Sequence, residues 1–302
     1  MTMRIIVLGA AAGGGFPQWN SACPVGRRAW ARDPAARWRT QSSLAVSGDG
    51  EDWVLLNASP DLRQQILNTP ALHPKQQPRH SPIRAVVLTN GDVDHVAGLL
   101  NLRESQPFTL YATAAILNVL DRNPIFSVLN PDHVRRQRLM LDEPLAIETG
   151  LTITPFAVPG KVALYLEDER LAIGAETEDT IGLEIRDQAG GRFFFIPGCA
   201  RLAPALRARL QGAPLVFFDG TLWTDDEMIQ SGTGSKTGAR MGHMSVSGPE
   251  GSMAAFADLG IARKIFLHIN NTNPILLDDS PERAAVHAAG WEVAYDGMEV
   301  EL

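Results

Sequence analysis

The sequence predicts an α/β fold in which two mixed sheets pack face to face with helices outside, an αβ/βα four-layer sandwich. Three observations carry this expectation. Short apolar and β-branched runs recur through the chain, amphipathic helical patterns lie between several of them, and the glycines after the first run are not spaced for a dinucleotide-binding turn.

The runs expected as strands are Arg4 to Leu8, Ser43 to Val46, Trp53 to Asn57, Ala85 to Thr89, Thr152 to Ala157, Arg192 to Ile196, Leu215 to Asp219 and Lys264 to Ile269. The helical patterns are Pro60 to Asn68, Val96 to Glu104, Ala112 to Asp121, Pro204 to Gln211, Gly248 to Leu259 and Ser280 to Gly290. Asp61 after Ser59-Pro60 reads as a helix N-cap. Ser280-Pro281-Glu282 repeats that signal, and Gly290 closes the helix. The rival is a doubly wound nucleotide fold, but Gly9, Gly13, Gly14 and Gly15 do not form GxGxxG, and no strand-end acid follows at the required distance. No repeat, heptad or low-complexity block appears, and residues 70 to 82 read as a proline-rich surface loop. One domain over residues 1–302 is expected.

Composition removes several function classes. A net charge of −7 and a pI near 5.5 argue against a nucleic-acid binder. Arg27, Arg28, Arg32, Arg37 and Arg39 do cluster, but tryptophans and a proline interrupt them, which suits a solvated or substrate-facing loop. Only Cys23 and Cys199 occur, so no secreted-type disulfide framework is available. The N-terminus reads as no signal peptide and no run of about 18 apolar residues is present, so stable membrane insertion is not expected and a reducing cytoplasm fits.

The strongest chemical signal is Thr89 to Gly98, TNGDVDHVAG, at a junction of strand and helix. Capping a helix would use one acid, whereas Asp92, Asp94 and His95 place three polar groups within four residues. Asp94 and His95 are read as metal ligands, with a helix cap as the alternative. One imidazole and one carboxylate hold a metal weakly, so a third donor must come from elsewhere. His268, ending a strand before the polar turn Asn270 to Asn273, is the best candidate. His243, on a glycine-bearing loop, suits a proton-handling role as well as it suits an ordinary loop residue. Asp219 at a strand end suits either the orientation of a ligand or a turn-forming Asp-Gly. Cys199 reads as a small buried hydrophobe.

Taken in order, these segments resemble the metallo-β-lactamase superfamily, whose central motif is HxHxDH. Aligned on Asp94-His95, the leading histidines of that motif are Asn90 and Asp92 here, and Pro159-Gly160-Lys161 stands where another ligand histidine is expected. The strings AAGGGFPQWN, RTQSSLAVS, LLNASPDLRQQI, TNGDVDHVAGLL, DGTLW, MGHMS and HINNTNPILLDDSPERA are similar to one family within it, pyrroloquinoline quinone biosynthesis protein B. The resemblance runs from residue 3 to the C-terminus.

That resemblance implies a cytoplasmic role in making the quinone from a Glu-Tyr crosslinked precursor, by iron-dependent, O2-using hydroxylation of a tyrosine-derived amino acid. Asp94, His95 and His268 would hold Fe(II), with zinc or manganese as metals the same donors accept. Asp92 would serve as a further ligand or a base, with His243 and Asp219 beside it. A multi-carboxylate substrate calls for cationic and amide groups, for which Arg39, Gln41, Ser42, Lys161, Lys236, Arg240, Asn270, Asn271 and Asn273 are the sources expected. Members commonly carry CxCxxC after QWN as a structural zinc site. Here Ser21, Cys23 and Gly26 hold those positions, so no structural zinc is expected, with Trp19, Trp30 and Trp38 packing the region. A metal-dependent hydrolase and a non-catalytic carrier of the quinone or its precursor towards the periplasm remain as other classes. A homodimer is compatible with the sequence and not fixed by it.

Overall fold

The computed structural model describes residues 2–147, 149–169 and 171–302. The chain opens with β1 (Arg4–Gly9), β2 (Ser43–Ser47), β3 (Trp53–Leu56), β4 (Ile83–Val87), β5 (Phe108–Ala112) and β6 (Val134–Arg138). The second series is β7 (Leu145–Ala146), β8 (Thr152–Gly160), β9 (Ala175–Arg186), β10 (Arg192–Ile196), β11 (Leu215–Asp219), β12 (Arg263–Leu267) and β13 (Glu292–Val293), and β14 (Glu299–Glu301) ends the chain. They form two seven-stranded sheets, ordered β14-β1-β2-β3-β4-β5-β6 and β13-β12-β11-β10-β9-β8-β7. In the first, β14, β1, β2 and β3 pair antiparallel and β3 to β6 parallel. The second repeats this, antiparallel from β7 to β10 and parallel from β10 to β13.

Strand alternation explains the layers. Side chains of neighbouring strand residues point to opposite faces. In β10, Phe193 and Phe195 join Val7, Leu56, Val87, Phe217 and Ile265 in a core between the sheets, while Phe194 and Ile196 join a second core outside. That outer core receives Val25 and Ala29 from α1 (Pro24–Trp30), Leu206 and Leu210 from the helix Pro204–Leu210, and Val286 from the helix Pro281–Ala288. On the other side, Ile6 and Leu8 of β1 pack with Leu62 of the helix Leu62–Asn68 and with Ile116 and Leu120 of the helix Ala114–Arg122. Continuous apolar runs such as FFFI therefore mark strands buried on both faces. The four-layer αβ/βα arrangement is the one expected.

Several local expectations need correction. Asp61 sits at the N-cap of Leu62–Asn68, but its side chain makes no capping bond. Its Oδ2 accepts instead from Gln41 N and Nε2, both at 2.9 Å, and ties the loop after β1 to this helix. Ser280 does cap its helix through Arg283 N. The helix expected over Val96 to Glu104 begins earlier, as a single α-turn Val93–Val96 followed by a 3-10 segment Ala97–Leu102. There Gly98 lies so close to the backbone that a Cβ would stand 2.1 Å from Ser59 O. Gly248 to Leu259 yields only Ser252–Ala255. The arginine stretch is not simply a loop, because Arg27 and Arg28 lie on α1 and Arg39 is buried.

Candidate metal centre

The candidate ligands all follow the carboxyl ends of parallel strands, where backbone leaves the sheet and side chains converge. Asp94 and His95 come from the turn after β4, and Asp219 ends β11. His268 follows β12 directly, and His243 comes from the loop between these two strands. The structure brings them together in two overlapping donor groups, Asp94-His95-His268 and Asp219-His243-His268, each with donor atoms within 4.8 Å of one another.

His95 is buried, with Nδ1 2.7 Å from Asn90 Oδ1. An amide oxygen only accepts, so Nδ1 carries the proton and Nε2 keeps its lone pair. That Nε2 is buried with no hydrogen-bond partner and lies 3.9 Å from Asp94 Oδ2. Burial lowers the imidazole to about 4, against the pull of Asp94, so the ring is neutral. A buried nitrogen left unpaired is costly unless something occupies it. A metal ion fits this donor set.

His268 Nε2 stands 3.0 Å from Asp94 Oδ2. Its Nδ1 lies 2.9 Å from Thr221 Oγ1, which also donates towards Asp219 Oδ1 at 2.6 Å. With that hydroxyl proton on Asp219, the oxygen accepts from His268 Nδ1–H and Nε2 is turned to the cluster as a ligand. His268 has φ 55°, the left-handed region that side chains seldom enter, and its carbonyl is 3.0 Å from the same Thr221 hydroxyl. Against burial, which pushes the Asp94 carboxyl up, a proton on His268 Nε2 holds it well below the usual range, and a metal ion would take that proton's place. Asp94 is the anionic donor.

Asp219 is fully buried and accepts from Cys199 N at 2.9 Å and Thr221 N at 3.0 Å. Its Oδ2 lies 2.6 Å from His243 Nδ1, so the carboxylate fixes the tautomer and leaves Nε2 free. The His243 ring stacks on His268 with centroids 5.3 Å apart. It also faces a cavity of about 420 Å³ lined by Ala200, Asp225, Ala239 and Met244 among others. An Asp-oriented imidazole beside a donor cluster is equipped to move a proton.

The other expected residues are placed as follows. Asp92 joins neither donor group: its carboxylate accepts from Asn90 Nδ2 at 2.8 Å, and burial, then the charge of Asp94, raises it. Lys161 pairs with Glu167 at 3.0 Å. Gln41 bridges Gly14 N and Asp61, and Ser42 is fully buried with its hydroxyl unpartnered. Arg39 is buried on the carbonyls of Ala294, Arg37 and Leu276, which spends its guanidinium on backbone. The asparagines shape their own turn: Asn270 donates to Thr272, Asn271 to Gln18 and Asn273 to Gly220 O. Cys199 is buried, and burial pushes its thiol far up. Cys23 caps α1, its Sγ accepting from Gly26 N at 3.2 Å. Trp30 and Trp38 meet edge to face at 5.6 Å, whereas Trp19 is 82% exposed and packs nothing.

Sequence reasoning missed Thr221, which joins both donor groups, and the orienting role of Asn90. A Thr directly after a strand-ending Asp-Gly was the available signal.

A beta-lactamase superfamily domain model matches residues 52–269. Coenzyme PQQ synthesis protein B of Xanthomonas oryzae is 59% identical over 99% of this chain and all of its own length. That of Gluconacetobacter diazotrophicus is 61% identical over 98% of each. The chain belongs to the coenzyme PQQ synthesis protein B family. Among solved structures, zinc-bound PqqB from Methylobacterium extorquens superposes with TM-score 0.97 at 56% identity, covering 99% of this chain and 100% of that one. A diphosphatase of the PhnP family superposes at 0.73 with 21% identity, over 100% and 98% of the two chains, which shows the shared metallo-β-lactamase fold alone. This member of the family thus combines that fold with a candidate metal site and a place in PQQ biosynthesis. Among its described residues no helix is long and apolar enough to cross a membrane.

Proposed function

We propose that this family member is an iron-dependent, O2-using hydroxylase acting on a tyrosine-derived, multi-carboxylate precursor of PQQ. The observation that carries the reading is the donor set: two imidazoles and one carboxylate converge, with His95 Nε2 buried and unpaired. Two histidines and a carboxylate leave metal positions open, the pattern of non-haem iron oxygenases. Asp94, His95 and His268 would hold the ion, and Fe(II) bound there supplies activation of O2 for insertion into an aromatic ring. Two imidazoles and a carboxylate accept zinc and manganese as well as iron, so those metals would compete for the site.

The chain's own residues do the rest. Thr221 and Asn90 fix the two imidazoles so that each presents Nε2. Asp219 orients His243, whose free Nε2 takes or returns a proton at the substrate hydroxyl. Asn90 and Asp92, at the positions of the superfamily's leading histidines, bond to each other rather than supplying a second imidazole pair, which argues against two-metal hydrolysis. A cytoplasmic reaction is part of this reading, supported by two cysteines that form no disulfide.

The test is anaerobic loading with Fe(II), addition of precursor and ascorbate as two-electron reductant, then O2, one oxygen atom going to the ring and the other to water. Hydroxylated product with one O2 consumed per turnover supports the reading. Cleavage without O2 would replace it with hydrolysis, and tight binding without turnover with a carrier.

A further inference from the structure

The segment after β8 runs along the mouth of the metal centre and is fastened at both sides. Tyr165 OH donates to Gly91 O at 2.6 Å, and Leu164 N approaches Asp92 Oδ1 at 3.4 Å, which ties it to the loop that supplies Asp94 and His95. Across the mouth, Glu167 meets Lys236 Nζ at 3.3 Å and Arg240 Nη2 at 2.9 Å, from the loop that leads into His243. Lys161 Nζ stands 3.0 Å from its other oxygen. The Lys161 stem packs against Gly242, 3.3 Å from where a Cβ would stand there, next to His243. Three cations thus surround one carboxylate that is only 13% exposed.

The group is built for more anion than it holds. Arg240 uses Nη2 alone on Glu167, and its Nη1 is buried with no hydrogen-bond partner. Arginine's planar fork matches a carboxylate through two parallel bonds, so half of this donor pair is idle. Three cations converge on this one carboxylate, and the charge of Lys161 also reaches Asp92. The segment itself packs little: Leu164 is 61% and Tyr165 46% exposed. Glu167, the Tyr165 and Leu164 hydrogen bonds, the bond from Thr180 Oγ1 to Lys161 O at 2.9 Å and the buried Ala163 are among its attachments.

We propose that Lys161, Lys236 and Arg240 form the subsite for a carboxylate group of the substrate, and that Glu167 holds this subsite until the substrate's carboxylate displaces it and releases the 161–169 segment. This rests on the multi-carboxylate substrate proposed above. Displacement exchanges one carboxylate for another, with no bond made or broken, and it links occupancy of the subsite to opening of the mouth.

The test uses the full zinc-loaded chain without O2 and glutarate as the probe, so it is independent of hydroxylation. Glu167→Gln should bind glutarate at least tenfold more tightly than the unsubstituted chain, because the competing carboxylate is gone. Glu167→Gln with Arg240→Gln should lose that gain. Equal or weaker binding by a folded Glu167→Gln variant would overturn the proposal, as would a gain that survives loss of Arg240. In the unsubstituted chain, saturating glutarate should speed amide exchange across 163–168 relative to chloride of equal ionic strength. If glutarate binds and exchange there is unchanged, displacement is wrong. A chain that passes these tests yet never hydroxylates would refute the oxygenase reading and leave the subsite standing.

Discussion

Thr221 and His268 are joined side chain to side chain, the threonine hydroxyl accepting from the imidazole Nδ1 at 2.9 Å while its own proton goes to Asp219. The contact selects the tautomer that presents Nε2, on a residue whose backbone is left-handed. Thr221→Val keeps the shape and removes the hydroxyl. Zinc affinity should fall by about 10- to 100-fold with secondary structure retained, read by chelator competition and circular dichroism, and Thr221→Ser should restore most of it. An unchanged affinity in the valine variant would remove Thr221 from the metal centre.

His268→Ala removes the donor shared by both groups. Iron binding and hydroxylation should both be lost while the chain stays folded. Metal content after anaerobic loading, with a thermal melt, decides this, and full activity in the variant would rule the triad out.

His243 is assigned to protons rather than to the primary ligand set. His243→Ala should lower turnover by about 10²- to 10⁴-fold and leave iron affinity within a few-fold of the original. Loss of the metal along with turnover would instead make His243 a ligand, acting through the second donor group.

Glu227 gives a pH prediction away from the ligands. It accepts from Trp223 N at 2.6 Å and from Thr272, and burial pushes it up to about 7 against those bonds. A carboxyl raised on folding keeps its proton where the unfolded chain has lost it. Stability from this group is therefore present below the ordinary value near 4.5 and declines as pH rises through about 7. Glu227→Gln should gain on the unsubstituted chain over that window, by at most on the order of 3 kcal/mol. Melting curves at pH 5 and pH 8 check it: a difference that does not grow with pH contradicts the assignment.

Cys23 caps α1 with a thiol, where families of helices prefer oxygen. Cys23→Ala should cost about 1 kcal/mol and leave metal stoichiometry unchanged. A lost equivalent of zinc in the variant would show that this single thiolate anchors a metal after all.

The layers were legible because β10 and β11 are apolar on both faces. That Asp94, His95 and His268 would come together was legible because donors at strand ends have few structural uses. The whole of β9 was missed: Ala175 to Thr180 reads AETEDT and is mostly not buried, so the polar first half masked the buried run that follows it. The helix α1 was hidden by its unusual cap. Arg39 looked like a substrate contact because sequence shows charge and not direction, and the structure turns that charge onto three carbonyls. Thr221 was hidden for a related reason: a hydroxyl that organises three side chains is indistinguishable in sequence from one that closes a turn.

The place of β14 beside β1 constrains how the protein is made. Ile5 pairs with Val300, and Arg4 reaches Glu299. Before residues 299–301 leave the ribosome, the first strand synthesised has one open edge, and such an edge recruits other chains. The first sheet thus waits for a strand almost three hundred residues further along the sequence, and a variant lacking residues 299–301 would be prone to associate through the uncovered edge of β1.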